Sequence, residues 1–186
     1  MIAVAAGAVD IARSVVNEIA EIAYGGGLPE DIDAGLVTTD FFKTTGETYP
    51  FGTHVAMVEI DPETGKVEVK NFWSVDDCGN VISPSLVEGQ VHGGLAQGIG
   101  QALYEESVYD ENGQLITSTL MEYAVPHADS FPMFELHRTV TPTPLNPMGA
   151  KGIGEAATIG STPATVNAVL DALAPHGVTH LDMPLS

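Results

Sequence analysis

Apolar and polar residues alternate along two neighbouring stretches of the chain. The stretches His54–Ile60 and Lys66–Val75 both have a period of two, which is the spacing of a half-buried strand. Between them, Asp61-Pro62-Glu63-Thr64-Gly65 has the composition of a turn. The pattern therefore predicts a β-hairpin.

Helical spacing replaces this alternation elsewhere, and one predicted helix is unusually rich in glycine. The predicted helices are 10–24, which ends at Gly25-Gly26-Gly27, then 86–106, and 162–174, which Pro175 and Gly177 close. The remaining predictions are a loop-rich 28–52, a turn at 110–113 and a strand at 133–141. The order of elements indicates an α+β fold, with two lobes, 1–80 and 81–186.

The chain is strongly acidic, with 25 Asp and Glu against 6 Lys and Arg in 186 residues, a net charge of −19. That charge repels nucleic acid and anionic membranes. It fits an acidic docking face, a salt-rich habitat or simple solubility, of which we prefer the last. One cysteine excludes an internal disulfide framework. Without a long apolar run or a basic signal-peptide start, we expect a cytoplasmic protein.

A glycine-rich turn at Gly149–Ala157 places one carboxylate, Glu155, at the start of a helix. Glycines let the backbone approach a ligand closely, and a carboxylate there can serve as a general base. The alternative is a glutamate that only complements the helix dipole. Lys151 either steers an anionic group of a substrate or cofactor, or is an ordinary surface lysine.

The glycine-rich helix carries Gly93, Gly94, Gly98 and Gly100. Each interior glycine costs about 1 kcal/mol relative to alanine, so the set indicates close packing or a cofactor against that face. Gln90 lies at the entrance to this helix, and its amide can donate and accept hydrogen bonds at once. Alternatively, Gln90 bonds only the local backbone.

Other chemistries find little support in the sequence. The six histidines form no His-x-x-x-His pair, so we expect no zinc site and no metal-ligating side chains. Asp76 and Asp77 are adjacent on a predicted strand and should point to opposite faces. The glycines match neither a phosphate-binding loop nor an esterase nucleophile elbow.

These two motifs, with Thr48–Ala56, Glu59–Gly65 and Pro163–Leu173 in the same order, resemble the large subunits of the molybdenum hydroxylases, the xanthine dehydrogenase and aldehyde oxidase family. The resemblance is to the C-terminal, molybdopterin-binding portion, and the carbon monoxide dehydrogenase-type branch is most similar. It implies that Glu155 is the catalytic base. It also implies that Gln90 and Gly154 contact a molybdenum–molybdopterin cytosine dinucleotide. From the glycine-rich turn itself, we expect Gly152 to let this cofactor approach, and Lys151 is a further candidate for binding it.

The resemblance also implies what should lie outside this chain. Iron–sulfur clusters and FAD are expected on partner subunits, and the other side of the pocket on the N-terminal part of the large subunit. Cys78, the only cysteine, is not in the loop that carries copper in carbon monoxide dehydrogenases. We therefore expect a fragment or split subunit that is inactive alone. The alternative is a non-catalytic structural or assembly remnant.

Overall fold

A computed structural model describes residues 41–185 together with Val15, Val16 and Glu18. Those three residues are helical, while the rest of the predicted helix 10–24 and the glycines that end it lie outside the described residues. Residues 41–47 and 144–149 belong to one compact unit, and residues 48–143 and 150–185 belong to a second. The strands and helices given below all lie in the second unit.

The predicted hairpin is confirmed. Strand β1, Phe51–Ile60, pairs antiparallel with strand β2, Val67–Asp77, and a β-bulge interrupts the register between Met57 and Val58. In the connecting turn, Asp61 Oδ1 accepts hydrogen bonds from the Glu63 and Thr64 N–H groups. Gly65 closes the turn with φ of 76°, a conformation that glycine adopts without strain.

A third strand, β3, covers Glu135–Arg138, the middle of the predicted strand 133–141. It runs parallel to β2, so the sheet order is β1-β2-β3. Parallel neighbours need a long crossover, and here the chain between β2 and β3 includes a complete helix. The pairing of β3 with β2 is decided by tertiary packing, because a periodic sequence pattern predicts a strand but not which strand it pairs with.

Helix α1 covers Pro84–Leu103 and agrees with the prediction to within three residues at either end. Helix α2 covers Ala156–Leu173 and begins six residues before the predicted start. The prediction placed Pro163 in the first turn, where proline is favoured. In the structure Pro163 lies inside the helix on its exposed side. The Ile159 carbonyl, which loses its helical partner there, can therefore reach water.

Both helices and the inner face of the sheet share one hydrophobic core. The buried side chains come from β2, α1, α2 and the chain end, and include Val69, Phe72, Val91, Leu95, Ile99, Leu103, Val169 and Leu185. Full burial of a side chain such as Leu95 contributes about 1.5–3 kcal/mol. Since this core joins the hairpin to both helices, the compact units differ from the predicted lobes 1–80 and 81–186.

Within the described part of the chain, neither helix is long and apolar enough to cross a membrane.

Candidate active site

Close packing of α1 on α2 brings the two glycine-rich motifs together. A Cβ at Gly94 would lie 2.8 Å from Ala157 Cβ, and one at Gly98 would overlap Ser161 Oγ. Thr158 and Ser161 of α2 also donate hydrogen bonds to the Gly94 carbonyl, at 3.1 and 3.3 Å. The sequence suggested two reasons for glycines in this helix, close packing or a bound cofactor. At Gly94 and Gly98 the reason is close packing.

As a consequence, Gln90 in α1 lies beside the turn that precedes α2. The Gln90 Oε1 atom is 3.5 Å from the position that a Cβ on Gly154 would occupy. Both residues are exposed. The structure therefore brings together two residues that lie 64 positions apart and that were selected from separate motifs.

Glu155 is the N-cap residue of α2, next to this contact. Its side chain is exposed and does not cap the helix through a hydrogen bond. Among the described residues, no hydrogen bond or ion pair to its carboxylate is formed. The carboxylate is therefore available to a ligand or substrate at the start of the helix.

Three glycines around this place have open space where a side chain would be. Gly89 and Gly93 in α1, and Gly152 in the turn, have no atom within 4 Å of an added Cβ. A ligand could approach the bare backbone at each of them. This open surface, together with Gln90, Gly154 and Glu155, forms the candidate site.

Lys151 is placed differently from its neighbours in the turn. Its ammonium nitrogen lies 2.9 Å from Asp77 Oδ1, and the two side chains are 7% and 0% exposed. The Phe51 ring lies beneath the ammonium group at 4.4 Å from the ring centroid. Lys151 is therefore not a surface lysine, and a contact with the cofactor remains a prediction that would require this ion pair to open.

Asp77 is the residue that sequence reasoning missed. Burial by itself raises the pKa of this carboxyl group, but hydrogen bonds from Gly79, Lys151, Thr141 and Thr139 outweigh that effect and hold its pKa well below the ordinary value. The group therefore stays charged inside the protein. The only sequence signal was its position at the end of a strand, directly before the Cys-Gly turn.

Asp76 points to the other face of the strand, as predicted. Its Oδ1 atom lies 3.1 Å from His54 Nε2, and its Oδ2 atom accepts a short hydrogen bond from the Ser74 hydroxyl. The Ser74 Oγ atom is also 3.2 Å from the same His54 nitrogen. Because both partners meet one ring nitrogen, the cluster lacks the geometry of a hydrolytic triad.

Cys78 is buried at 3% exposure, and burial raises the pKa of its thiol. Its carbonyl oxygen accepts a hydrogen bond from the Lys151 N–H group at 2.8 Å. A buried neutral thiol is a poor metal ligand and nucleophile. Cys78 therefore belongs to the packing behind the turn.

Most of the chain matches a known protein family. Residues 2–132 match the model of the molybdopterin cofactor-binding domain, which is well over half of the chain and includes Gln90. The chain belongs to this family. Glu155 lies beyond the matched residues, so its role depends on the geometry and on the resemblance to relatives.

Relatives of this molybdopterin cofactor-binding domain are subunits of oxidoreductases. The chain is 44% identical over 156 residues to the carbon monoxide dehydrogenase large chain of Hydrogenophaga pseudoflava, covering 84% of this chain and 19% of that one. It is 40% identical over the same length, with the same coverage, to the nicotine 6-hydroxylase large subunit of Paenarthrobacter nicotinovorans. The resemblance to molybdenum hydroxylase large subunits is thus confirmed.

Solved structures support the same family assignment. Carbon monoxide dehydrogenase from Oligotropha carboxidovorans matches with a TM-score of 0.79 at 39% identity, over 84% of this chain and 20% of that chain. Quinoline 2-oxidoreductase from Pseudomonas putida 86 matches with a TM-score of 0.69 at 48% identity, over 71% and 17%. The α+β molybdopterin-binding fold is confirmed. The domain spans about a fifth of the length of these relatives.

The residues at the candidate site fit a molybdopterin-type cofactor. Gln90 offers both a donor and an acceptor to a heterocycle, and the glycines leave space where any other residue would place a Cβ. Glu155, whose carboxylate has no partner among the described residues, directly follows Gly154 in the chain. The donor set and the open backbone are therefore compatible with the cofactor that the family binds.

Proposed function

We propose that this chain provides the catalytic base and part of the cofactor site of a molybdenum hydroxylase. The enzyme would oxidise an aldehyde, an N-heterocycle or carbon monoxide with water as the oxygen source. The observation that carries the proposal is the proximity of Gln90 to Gly154, next to Glu155, whose carboxylate has no partner among the described residues. A non-catalytic remnant would have no reason to keep both Gln90 and Glu155.

The residues of the chain divide the work between binding and proton transfer. The Gln90 amide would orient the cofactor, and the backbone at Gly152 and Gly154 would let it approach. The Glu155 carboxylate would accept the proton that is lost as water becomes the nucleophile. When bound, the molybdenum cofactor supplies Lewis acidity and accepts two electrons.

The finer identity of the cofactor is also part of the proposal. We infer the cytosine dinucleotide form, with iron–sulfur clusters and FAD on partner subunits and with the N-terminal part of the large subunit completing the pocket, in the cytoplasm. The similarity to subunits named as large chains supports this arrangement. Nucleotide analysis of the extracted cofactor, and co-purification with each partner, would test it.

The relatives indicate a range of substrates for the enzyme rather than a single one. Similar proteins are named for carbon monoxide, nicotine, quinoline and aldehydes. Buried Cys78 is a poor candidate for copper chemistry of the carbon monoxide type. A panel of one aldehyde, one N-heterocycle and carbon monoxide, assayed on the same preparation, would select among them.

The substitution Glu155→Gln tests the proposed base. We expect turnover by the assembled enzyme to fall by about 10²–10⁴-fold, the usual loss for a general base, while molybdenum content stays unchanged. The measurements are kcat and molybdenum per chain. Glu111→Gln, in the exposed turn after α1, is the control and should leave kcat unchanged. Near wild-type kcat in Glu155→Gln would disprove the assignment.

A further inference from the structure

We propose that Asp77 and Lys151 act as a positioning pair that holds the turn carrying Glu155 in place. The inference rests on the proposed role of Glu155, although neither residue of the pair would touch the substrate. Lys151 is separated from Glu155 by three residues, two of them glycines. Glycine leaves the backbone free to adopt many conformations. A constraint at residue 151 is therefore needed to give the turn one direction.

The backbone supplies the first part of this constraint. The Lys151 N–H group donates to the Cys78 carbonyl at 2.8 Å, and Ala150 forms an antiparallel bridge with Gly79. These contacts attach residues 150 and 151 to the chain directly after β2. They do not extend to Gly152, which lies in open space. The attachment therefore ends where the candidate site begins.

The side chain supplies the second part. The Lys151 ammonium group is buried between the Asp77 carboxylate, at 2.9 Å, and the ring of Phe51, at 4.4 Å. Lysine is almost never buried without a partner. This chain has only 6 basic residues against 25 acidic ones, and exposed carboxylates are abundant. A buried location for one of these few cations indicates a specific structural use.

Asp77 joins this lysine to two further segments. Its Oδ1 atom also accepts the Gly79 N–H at 2.9 Å, and its Oδ2 atom accepts the Thr139 hydroxyl at 2.9 Å, just after β3. A buried carboxylate that is fully hydrogen-bonded avoids most of the desolvation penalty. If Asp77 loses its charge, the Lys151 ammonium remains buried without a counterion and has reason to turn towards water. The turn would then move with it.

A small displacement of the turn that carries Glu155 is sufficient to lower the reaction rate. Displacing a reacting group by about 1 Å can cost about 10²-fold in rate. Since Glu155 is held by the start of α2 on one side and by residue 151 on the other, loosening residue 151 releases one of its two supports. The pair would thus act on kcat through the position of Glu155.

The neighbouring Asp76 provides a matched control. It is buried at 2% exposure and engages His54 and Ser74 on the opposite face of β2. The substitution Asp76→Asn replaces a buried carboxyl group one position away without touching the bonds of residue 151. It separates a general loss of stability from a specific effect on the turn.

The experiment compares Asp77→Asn with Asp76→Asn in the 186-residue chain and in the assembled enzyme. Amide hydrogen exchange at Lys151 reports directly on the turn. We expect exchange there to become about tenfold faster or more in Asp77→Asn. We expect kcat to fall by about 10²-fold, with KM and molybdenum content unchanged. Asp76→Asn should lower the Tm but leave both exchange at residue 151 and kcat within about twofold of wild type.

A double variant, Asp77→Asn with Lys151→Met, distinguishes positioning from simple stabilisation. Removing both charges relieves the unpaired lysine, so Tm should recover. Exchange at residue 151 and kcat should stay altered, because the side-chain link between residue 151 and residue 77 is still missing and only the backbone contacts remain. Recovery of kcat together with Tm would overturn the proposal, and so would unchanged exchange in Asp77→Asn.

The exchange measurement needs no activity and so separates this inference from the proposed function. If Glu155→Gln keeps wild-type turnover while Asp77→Asn loosens residue 151, the catalytic role fails and the anchoring of the turn stands. If Glu155→Gln is inactive while exchange at residue 151 is unaffected by Asp77→Asn, the base assignment stands and the positioning pair is refuted.

Discussion

Helix α1 has glycines on two faces, one packed closely against α2 and the other open. Gly94 and Gly98 face α2, where a Cβ would collide with Ala157 or Ser161. Gly89 and Gly93 face open space, with no atom within 4 Å of an added Cβ. Each glycine costs the helix about 1 kcal/mol relative to alanine. On the packed face this cost is offset by closer contact between helices, and on the open face no contact within the described residues offsets it.

The difference shows how one helix can serve the fold and the site together. The packed face determines how close α1 and α2 lie, and so brings Gln90 to Gly154. The open face leaves the backbone accessible beside the same two residues. A mutation on the packed face should therefore act on stability first, and a mutation on the open face should act on ligand binding first.

The largest expected effect on stability is at Gly98. Gly98→Ala would place a methyl group on Ser161 Oγ and within 3.0 Å of the Thr162 backbone nitrogen. The helices would have to separate, and overpacking of this kind costs about 1–3 kcal/mol, of which we expect the upper end. Urea unfolding followed by circular dichroism measures it. An unchanged unfolding midpoint would mean that the helices are not in close contact here.

Gln90→Ala is the corresponding test on the open side. The side chain is exposed, so we expect the free energy of unfolding to change little. A lost polar contact to a buried ligand costs on the order of 1–3 kcal/mol, which would appear as weaker cofactor retention. Molybdenum content after gel filtration of the assembled enzyme is the measurement. If content and rate both equal those of wild type, Gln90 serves only the local helix start.

Gly93→Ala should have the smallest effect on stability, and it should stabilise the chain, whereas Gly98→Ala destabilises it. Its Cβ would meet no atom within 4 Å, so the helix gains the usual stabilisation of about 0.5–1 kcal/mol from replacing glycine. The same methyl group would narrow the open face, and we expect lower molybdenum content in the assembled enzyme. Chemical unfolding of the chain and metal analysis give the two results separately. A destabilised Gly93→Ala would contradict the division of α1 into two faces.

Local patterns predicted the elements that depend on neighbouring residues. The hairpin followed from a period of two on both sides of an Asp-Pro-x-x-Gly turn, and α1 from helical spacing through the glycines. The start of α2 was missed because Pro163 reads locally as a first-turn residue. Its exposure on the outer side of the helix, which makes it tolerable there, is a tertiary property.

The candidate site also combines features that the sequence predicted with one that only the structure revealed. Glu155, Gln90, Gly152 and Gly154 were selected from motif chemistry and family resemblance, and the structure places Gln90 against Gly154. The environment of Lys151 was not foreseen. A lysine in a glycine-rich turn gives no local sign of burial, and its carboxylate partner is 74 residues away in sequence.

The sequence by itself determined the α+β class, the family and the residues with chemistry to offer, because periodicity and motif composition are local properties. Tertiary structure alone decided that β3 pairs parallel with β2, that Gly94 and Gly98 bring the two helices into contact, and that Asp77 neutralises Lys151. Each of these depends on the distance between residues far apart in the chain. Such distances are established only when the core closes and desolvates the groups inside it.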